Sequence, residues 1–595
     1  MGKKLKQMVA LGMAAVMMLS LAACGGSSSN ETADASISES GAATAAAADD
    51  GEAVSGGSLT AYYTEFYSEY DPAASAKRAF ISMYCDMLWN LDWDSDTAYV
   101  GSYLDEDMIT GQVAESWEVA DDYSSMTVTL RDDVYFQDKT EVGMDEEYDI
   151  YDGRQLTAED VKWSYDRLLG LDGAEKVDLE ETSWDEFLYM LDSVEVVDDL
   201  TVTFHFNTTS EVAVSSFMCA RVLLGGSEWD ELTDEQKSDW HYAAGTGPFI
   251  ITDYVGENTM TLTKNPGYWD TDSEGNALPY LDEVKLVNMT ESTTVLSSFI
   301  SGEIDMVAVA NAVFDSDEIT QMESALGEDG FYKYSFYSSP MSIGLKQGNN
   351  PVEALTDVRV RMALQYAMDL EAMSEFMGYT YDEDSDVADR ISGVFSGNTA
   401  WGDTSEWSDE LLESYTTYDP DKAKELLEEA GYGDGFTFDC TIFSQLPTDL
   451  FTLAAEYLDA VGVTMNINLE NSPADMTSVG EDADDPACVF FNLGMDSLSS
   501  LSMRVCGDMS YVKQDNAEIE ALCEEVQNAT TLEDQIEKAK ELDQTYMEEH
   551  YLLYISYSEK YDNFYQNYVH GVHGSTPYSN WNSGYVFARI WMDAE

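Results

Sequence analysis

Strand-type and helix-type hydrophobic patterns alternate along this chain, and the alternation has no repeating period. In 126–131 (MTVTLR) and 200–206 (LTVTFHF) apolar residues occupy every second position, which predicts two half-buried strands. Between them, 157–169 opens with Thr157 and Asp160 in capping-box spacing, which predicts a helix packed on the sheet. Mixed strands and helices without a repeat predict α/β or α+β domains and argue against a solenoid or a propeller.

A second helix is marked clearly at both ends. Asp419 stands in the N-cap position, Pro420 in the first helical position, and Gly431 just past the last turn. The chain has 595 residues, which at about 150 residues per domain suggests three to four domain-sized units after removal of a leader.

The chain begins with the arrangement of a secretion signal. Three lysines within the first six residues precede an almost wholly apolar run at 8–23. That run is shorter than the roughly 18 to 20 residues that comfortably span a bilayer, and no stop-transfer charges follow it. Residues 21–24, Leu-Ala-Ala-Cys, resemble the bacterial lipobox, so we predict a lipoprotein signal peptide at 1–23 and a lipid anchor on Cys24. The alternative is an ordinary signal peptide with a chance cysteine beside it.

Residues 24–57 are predicted to form a disordered, lipid-anchored tether. From Gly25 to Gly57 the chain has no aromatic residue, lysine or arginine, so it buries too little apolar surface to fold. A flexible coil of that length reaches about 30 Å. Acyl chains, at about 0.8 kcal/mol per buried methylene, hold a protein at a membrane surface without spanning it. We therefore expect the mature protein on the extracytoplasmic face of the bacterial cell membrane, anchored at Cys24.

The chain is strongly acidic. It carries 28 Lys and Arg residues against 115 Asp and Glu residues, a formal net charge of -87. Phosphate binding needs clustered cations, so nucleic acid is excluded as a natural partner. Two explanations of the charge stay open: a solvated acidic surface typical of the source organism, and a charge that attracts a cationic ligand.

The sequence contains no familiar catalytic signature. The motifs G-x-S-x-G, H-E-x-x-H, G-x-x-x-x-G-K-[ST] and C-x-x-C are absent. His570 and His573 predict a loop with two exposed histidines and no third metal ligand nearby, and 381–390 lacks the central glycine and closing glutamate of a calcium loop. We predict a protein that is not an enzyme and has no catalytic residue, metal or cofactor. Paired carboxylates cannot be located among so many acids, so a secreted acidic glycoside hydrolase stays open as the alternative of a different class.

Six segments in a fixed order carry a family resemblance. They are 114–138, 152–169, 245–270, 301–306, 357–373 and 418–432. The most specific, 245–270, pairs Gly-Thr-Gly-Pro with a later Asn-Pro-x-Tyr-Trp. Together they resemble the extracellular solute-binding proteins of family 5, the substrate-binding lipoproteins of oligopeptide, dipeptide and nickel ABC importers, over most of the mature chain.

The resemblance implies an α/β, periplasmic-binding-protein-like fold of the peptide-binding type, with two hinged lobes and an extra domain. Lobe I would comprise 58–90, 240–338 and 551–595, the extra domain II would be 91–239, and lobe III would be 339–550. The lobes would close over a captured solute and present it to an ABC permease driven by ATPase subunits. We expect a monomer that takes up a peptide; an oligosaccharide or a metal complex in the same fold is the runner-up.

Most of the motif residues are predicted to be architectural. Gly245 and Gly247 suit tight backbone turns, and Pro248 fixes φ where the chain would cross between domains. Arg359 and Arg361 are predicted to pair with local carboxylates rather than with a ligand.

The resemblance also points to a ligand-binding stretch. Peptide-binding family members hold the ligand's α-ammonium with an aspartate in a Gly-Trp-x-x-Asp-like segment. The corresponding segment in this chain is 490–510. Met495 replaces the tryptophan and the downstream Asp-Pro is absent, so ordinary di- or tripeptide specificity does not carry over. Asp496 is implied as the ammonium anchor and Arg504 as a partner for a carboxylate.

Aromatic residues offer further ligand contacts. The chain contains 37 Tyr, 22 Phe and 12 Trp, enough to line a roomy cleft, although most aromatic side chains pack in cores. The stretch 60–72 stands where family members begin their first lobe. Within it we predict that Tyr63 and Phe66 face the ligand.

Overall fold

In the computed structural model, the described residues form an α/β body. They are 53–63, 70–73, 78–91, 109–174, 176–177, 188, 190–210, 214, 217–218, 222–308, 313–314, 316–327, 329–337, 340–348, 350–377, 390–394, 404, 407–443, 446–470, 486–490, 505, 512–558, 560–572 and 583–593. The predicted signal peptide, Cys24 and most of the predicted tether lie outside them. Every helix within these ranges is too short or too polar to cross a membrane.

The described strands form three main sheets and two short ribbons. In chain order they are β1 (Ser58–Tyr62), β2 (Trp89–Leu91), β3 (Ile109–Gly111), β4 (Ala114–Val119), β5 (Ser125–Leu130), β6 (Leu191–Asp198), β7 (Thr201–Phe206), β8 (Phe249–Val255), β9 (Thr259–Lys264), β10 (Glu283–Val287), β11 (Met306–Val307), β12 (Phe331–Tyr337), β13 (Ser342–Leu345), β14 (Phe436–Phe443), β15 (Val463–Glu470), β16 (Ala487–Phe490), β17 (Leu552–Tyr554), β18 (Lys560–Gln566), β19 (Val569–His570) and β20 (Trp591–Met592). The ribbons pair β2 with β3 and β19 with β20.

The helices lie between and beside these strands. They are α1 (Arg78–Ile81), α2 (Ala158–Leu169), α3 (Asp234–Lys237), α4 (Ser292–Ser301), α5 (Ser316–Leu326), α6 (Val358–Tyr366), α7 (Leu370–Met377), α8 (Asp409–Thr416), α9 (Pro420–Ala430), α10 (Thr448–Ala460), α11 (Ala517–Asn528), α12 (Leu532–Glu548) and α13 (Ser583–Arg589). The mixed α/β class predicted from the sequence is confirmed.

A seven-stranded sheet collects strands from remote parts of the chain in the order β12-β18-β11-β1-β10-β9-β8. The N-terminal β1 runs parallel to its neighbours β10 and β11, and the late strand β18 lies antiparallel between β11 and β12. Every strand of this sheet except the edge strands β12 and β8 has a neighbouring strand on both sides, so few backbone donors of the sheet are left without a strand partner. This is the sheet of the predicted lobe I.

A four-stranded antiparallel sheet, β4-β5-β7-β6, contains the two strands predicted from alternation, and β5 and β7 are direct neighbours. Helix α2 covers it with Val161, Tyr165 and Leu168, all buried. The capping box of Thr157 with Asp160 is present at the start of this helix. Both strands and the capped helix are therefore confirmed.

A five-stranded mixed sheet, β15-β14-β16-β13-β17, forms the centre of the predicted lobe III. Helix α9 begins as predicted: Asp419 accepts hydrogen bonds from the amides of Asp421 and Lys422, and Gly431 follows the last turn with φ 90°. Helices α11 and α12 belong to the same core, and Cys523 on α11 is in a disulfide, while Cys440 and Cys488 on the sheet are buried thiols.

The domain boundaries stay predictions, and two observations bear on them. Strand β17, which begins two residues past the predicted lobe III boundary at 550, pairs with β13 in the five-stranded sheet. At the other end, the amide of Gly56 donates to Tyr280 O and Gly57 O accepts from the amide of Asp282, so the last residues of the predicted tether already contact the body.

Candidate functional site

The chain crosses between the two larger sheets at two places that lie side by side. In chain order the described strands pass from the seven-stranded to the five-stranded sheet between Tyr337 and Ser342, and return between Tyr554 and Lys560. The amide of Ile555 donates to the carbonyl of Met341 at 2.9 Å, which holds the two crossovers together. A pair of short adjacent connections is the geometry of a hinge between two rigid bodies.

Serine hydroxyls hold the two crossovers in place. The amide of Tyr557 donates to Ser374 Oγ at 2.9 Å, and the amide of Met341 donates to Ser556 Oγ at 3.0 Å. Ser374 is fully buried on α7. Ser374 thus ties the return crossover to the five-stranded side, and Ser556, which lies in the return crossover, ties it to the outgoing one.

The predicted ligand segment of lobe III starts at the crossover edge of its sheet. Phe490, the last residue of β16, and Tyr554, the last of β17, both pair with Ser342, the first residue of β13 after the crossover. Strand β16 therefore ends, at Phe490, beside the two crossovers. Asp496 comes six residues further along.

The predicted ligand segment of lobe I begins on a strand that runs toward the crossovers. Strand β18 begins at the crossover and runs away from it, and β11 is antiparallel to β18. Strand β1 is parallel to β11, so β1 runs toward the crossover side, and its last residue, Tyr62, lies level with Phe564, four residues along β18 from Lys560. The strands on which the two predicted segments begin, β1 and β16, therefore both run toward the hinge side of their sheets.

Of the predicted site residues, the structure describes Tyr63 alone. Its amide donates to Val287 O at 2.8 Å, and its side chain is buried in the core of lobe I. The others, Cys24, Phe66, Met495, Asp496 and Arg504, lie outside the described residues. Contact of these six residues with ligand or lipid stays a prediction.

The Gly-Thr-Gly-Pro motif packs against a buried carboxylate. Thr246 Oγ1 donates to Asp86 Oδ2 at 2.9 Å, and Trp269 Nε1 donates to the same oxygen at 3.0 Å. Burial raises the pKa of Asp86 to about 6, and these hydrogen bonds oppose the shift. One carboxylate thus joins the two halves of the 245–270 motif. The sequence contained no local signal for Asp86, because its partners lie far along the chain.

The two glycines of that motif need a different explanation from the predicted one. Neither has a left-handed φ. A Cβ on Gly245 would lie 2.3 Å from Tyr84 O, and one on Gly247 would lie 2.6 Å from the Tyr84 carbonyl carbon. Both positions are therefore restricted to glycine because another backbone segment approaches closely. The predicted reason, that glycine is needed for tight turns, is wrong.

The architectural arginines pair as predicted. Arg359 contacts Asp357 at 2.6 Å, and Arg361 contacts Glu549 at 2.8 Å. Burial lowers the pKa of Arg361, whose side chain is 2% exposed. Their prediction as partners of local carboxylates is confirmed.

Buried charged contacts fix the extra domain to lobe I. Arg167 on α2 makes two hydrogen bonds with the carboxylate of Asp71, at 2.7 and 2.6 Å. The fully buried Lys139 donates from Nζ to His241 O at 2.6 Å, and burial lowers the pKa of this lysine to about 7. The sequence analysis missed both contacts. They make the extra domain and lobe I one mechanical unit.

The histidine pair at 570 and 573 differs from the prediction where it is described. The side chain of His570 is 11% exposed, lies 3.0 Å from Asp593 and stacks on Trp591. The prediction of an exposed side chain is therefore wrong for His570, and His573 lies outside the described residues. Within the described ranges, no group of three or more His, Cys, Asp or Glu side chains is placed to hold a metal ion.

Comparison with known proteins gives a family match over most of the chain. The model of bacterial extracellular solute-binding proteins, family 5, matches residues 108–500. Among curated proteins, the heme-binding protein A of Haemophilus influenzae is 26% identical over 342 residues, 55% of this chain and 54% of that protein. The dipeptide-binding protein of Escherichia coli is 25% identical over 348 residues, 55% of this chain and 56% of that protein. The matched region thus spans about half the length of these relatives.

Solved structures resemble the fold over nearly the whole chain. The periplasmic binding protein DppA of Helicobacter pylori, in complex with the peptide STSA, has a TM-score of 0.67 at 18% identity and covers 91% of this chain and 99% of its own. The oligopeptide-binding protein AppA of Bacillus subtilis, with a nonapeptide, has a TM-score of 0.62 at 18% identity and covers 91% and 100%. These likenesses agree with two lobes joined by a hinge.

Proposed function

Because this chain belongs to the bacterial extracellular solute-binding proteins of family 5, we propose that it is the receptor of an ABC importer. It captures a peptide between lobe I and lobe III and delivers it to a membrane permease. The family consists of solute-binding receptors that work outside the cytoplasm. The receptor itself performs no chemical step, and the permease's ATPase subunits supply the energy for transport.

The placement of the two predicted ligand segments carries the proposal. The strands on which they begin, β1 of lobe I and β16 of lobe III, both run toward the side of the paired crossovers. A solute held between them would contact both bodies at once. Such a ligand stabilises the closed arrangement by its differential affinity for the closed over the open state.

A peptide is the solute that the relatives favour. Similar proteins bind a dipeptide, the peptide STSA and a nonapeptide, and another relative binds heme. Asp496 would pair with the peptide's α-ammonium and Arg504 with its carboxylate, because closure strips water from both ends and each buried charge then needs a fixed partner. Met495, Tyr63 and Phe66 would supply apolar contact.

The receptor would work as a monomer held at the membrane by lipid on Cys24. The tether after Cys24 would give it reach, and the acidic surface would repel anionic headgroups, so anchoring would depend on the acyl chains alone.

Mass spectrometry of the soluble form that begins after Cys24 tests the proposed ligand class. Native spectra should show a stoichiometric adduct, and denaturation should release peptides that rebind when added back. Release of an oligosaccharide, a heme or another metal complex would replace the peptide with that ligand. Turnover of a glycoside substrate with no retained adduct would contradict the receptor itself.

A further inference from the structure

The extra domain touches lobe III at one described hydrogen bond. Ser210, four residues past the end of β7, donates from Oγ to the carbonyl of Ala529 at 2.8 Å. Ala529 lies in the turn between α11 and α12 of lobe III, 319 positions along the chain.

Both residues of this contact are buried. Ser210 is 8% exposed and Ala529 is 3% exposed, although the neighbours Thr209, Asn528 and Thr530 are all exposed. Ala529 is in none of the hydrophobic core clusters. The Ser210 hydroxyl therefore bonds to a buried position in an otherwise exposed turn.

The chemistry suits a contact that forms and breaks. In the turn after helix α11, Gln535 Nε2 donates to Val526 O, and the carbonyl of Ala529 needs a different donor. A serine hydroxyl supplies one and rotates freely to do so. When the contact opens, water satisfies both groups, so a neutral bond of this kind shifts an equilibrium only about two- to tenfold.

The contact must respond to lobe movement. The extra domain is fixed to lobe I through Arg167 with Asp71 and through Lys139 with His241. Lobe III is joined to lobe I by the two crossovers. Rotation at the crossovers therefore changes the distance between Ser210 and Ala529 while both local folds stay intact.

We propose that Ser210 and Ala529 form a closing latch, by which the extra domain holds lobe III in the closed arrangement. The latch rests on the proposed hinged function and extends it. The extra domain thereby acts as a positioning element for closure, and Ser210 sets part of the rate at which the receptor opens.

Ser210→Ala removes the donor and keeps the loop. Hydrogen exchange of the backbone amides at 528–532 should become about two- to tenfold faster, and small-angle scattering of the ligand-free protein should shift toward a larger radius of gyration. The matched control is Ser164→Ala, because Ser164 is also buried in the extra domain but bonds to Asp160 and Gly225. The control should lower the melting temperature and leave exchange at 528–532 unchanged.

A double variant, Ser210→Cys with Ala529→Cys, tests the same contact by adding a covalent bond instead of removing a hydrogen bond. Oxidation should cross-link the two residues, as shown by peptide mapping, and should hold the protein at its compact radius. The latch is overturned if Ser210→Ala matches wild type in exchange and scattering, or if the double variant fails to cross-link. If wild type binds no peptide while the cross-link forms and Ser210→Ala loosens the turn, the proposed ligand fails and the latch stands.

Discussion

At the scale of single residues, the crossovers depend on where a few backbone donors find acceptors. Ser374 and Ser556 accept the amides of Tyr557 and Met341, and Asp86 gathers Thr246 and Trp269 around one buried carboxylate. Each group has its hydrogen-bonding capacity met inside the protein, which is why it is tolerated in a core. Removal of one partner would leave the other buried without a bond.

Asp496→Ala tests the proposed ammonium anchor. If closure buries the peptide's α-ammonium against this carboxylate, truncation removes one member of a buried charge pair, which costs about 2 to 5 kcal/mol, or at least roughly 30-fold in Kd. Calorimetry with the co-purified peptide and its N-acetylated form measures the effect. Acetylation should weaken binding to wild type strongly and to the variant little. Equal losses in both proteins would assign the ammonium to another residue.

The burial of His550 should make the folded protein less stable in acid. It is fully buried, stacks on Tyr415 and lies 3.1 Å from Ser414 Oγ. Burial, with a smaller effect of the Arg361 charge, lowers its pKa from 6.5 to about 3. In the unfolded chain His550 binds a proton below about pH 6.5, whereas in the folded protein it does so only below about pH 3. The free energy of unfolding therefore falls as the pH falls through this window.

The variant His550→Asn keeps a residue that tolerates the positive φ at this position and removes the titration. Urea unfolding from pH 4 to pH 7 should show a slope of the unfolding free energy about 1.4 kcal/mol per pH unit shallower than in wild type. His205→Asn, on a side chain that is 40% exposed, controls for the loss of a histidine at an exposed position. Parallel curves for wild type and His550→Asn would contradict the assignment.

At the scale of elements, the parts of the fold with local signals were predictable. Helices α2 and α9 have caps, first-turn residues and terminal glycines within a dozen residues of each other. Strand β17 has three residues and is defined by its pairing with β13, more than 200 positions earlier. Asp86 bonds to Thr246 and Trp269, which lie 160 and 183 positions away. Such contacts depend on the assembled topology, so hydrophobic periodicity and capping motifs do not reveal them.

In the candidate site, too, some parts have a signal in the sequence and others do not. The family resemblance predicts the two ligand segments, 60–72 and 490–510, because it compares the order of sequence motifs along the chain, and contact of these segments with ligand stays a prediction. The hinge serines and the Ser210 contact have no such signature, since a serine that accepts a distant amide looks like any other serine in the sequence.

Arg167→Met tests the attachment of the extra domain to lobe I. Both side chains of its pair with Asp71 are 12% exposed, so loss of the guanidinium leaves a largely buried carboxylate and should cost about 3 kcal/mol in unfolding free energy. The control is Arg359→Met, whose side chain is 48% exposed and whose loss should lower the unfolding free energy much less, because solvent screens an exposed ion pair. Denaturant unfolding compares them. Equal costs would mean that the Arg167 pair does not stabilise the junction.

At the scale of the whole molecule, three features act together. Lobe I is assembled from early, middle and late segments, so it cannot form before the chain is nearly complete. The extra domain is attached to lobe I and touches lobe III at the latch. The formal net charge of -87 keeps the body soluble and away from anionic membrane surfaces.

Cys24→Ala should release the protein from membranes, because neither the tether nor the acidic surface has membrane affinity of its own. Fractionation of cells that express wild type or the variant measures this, with Ser27→Ala in the tether as the control. The variant should move to the soluble fraction while the control stays with membranes. A cleaved variant that still sediments with membranes would contradict the lipid anchor.

Closure on a peptide is the central claim, and small-angle scattering of the soluble form tests it most directly. With the co-purified peptide at a hundredfold excess over Kd, the radius of gyration should fall, and stability should rise by about 2.7 kcal/mol through preferential binding to the folded state. A scattering profile that stays unchanged while calorimetry shows the protein saturated with peptide would contradict the hinged receptor.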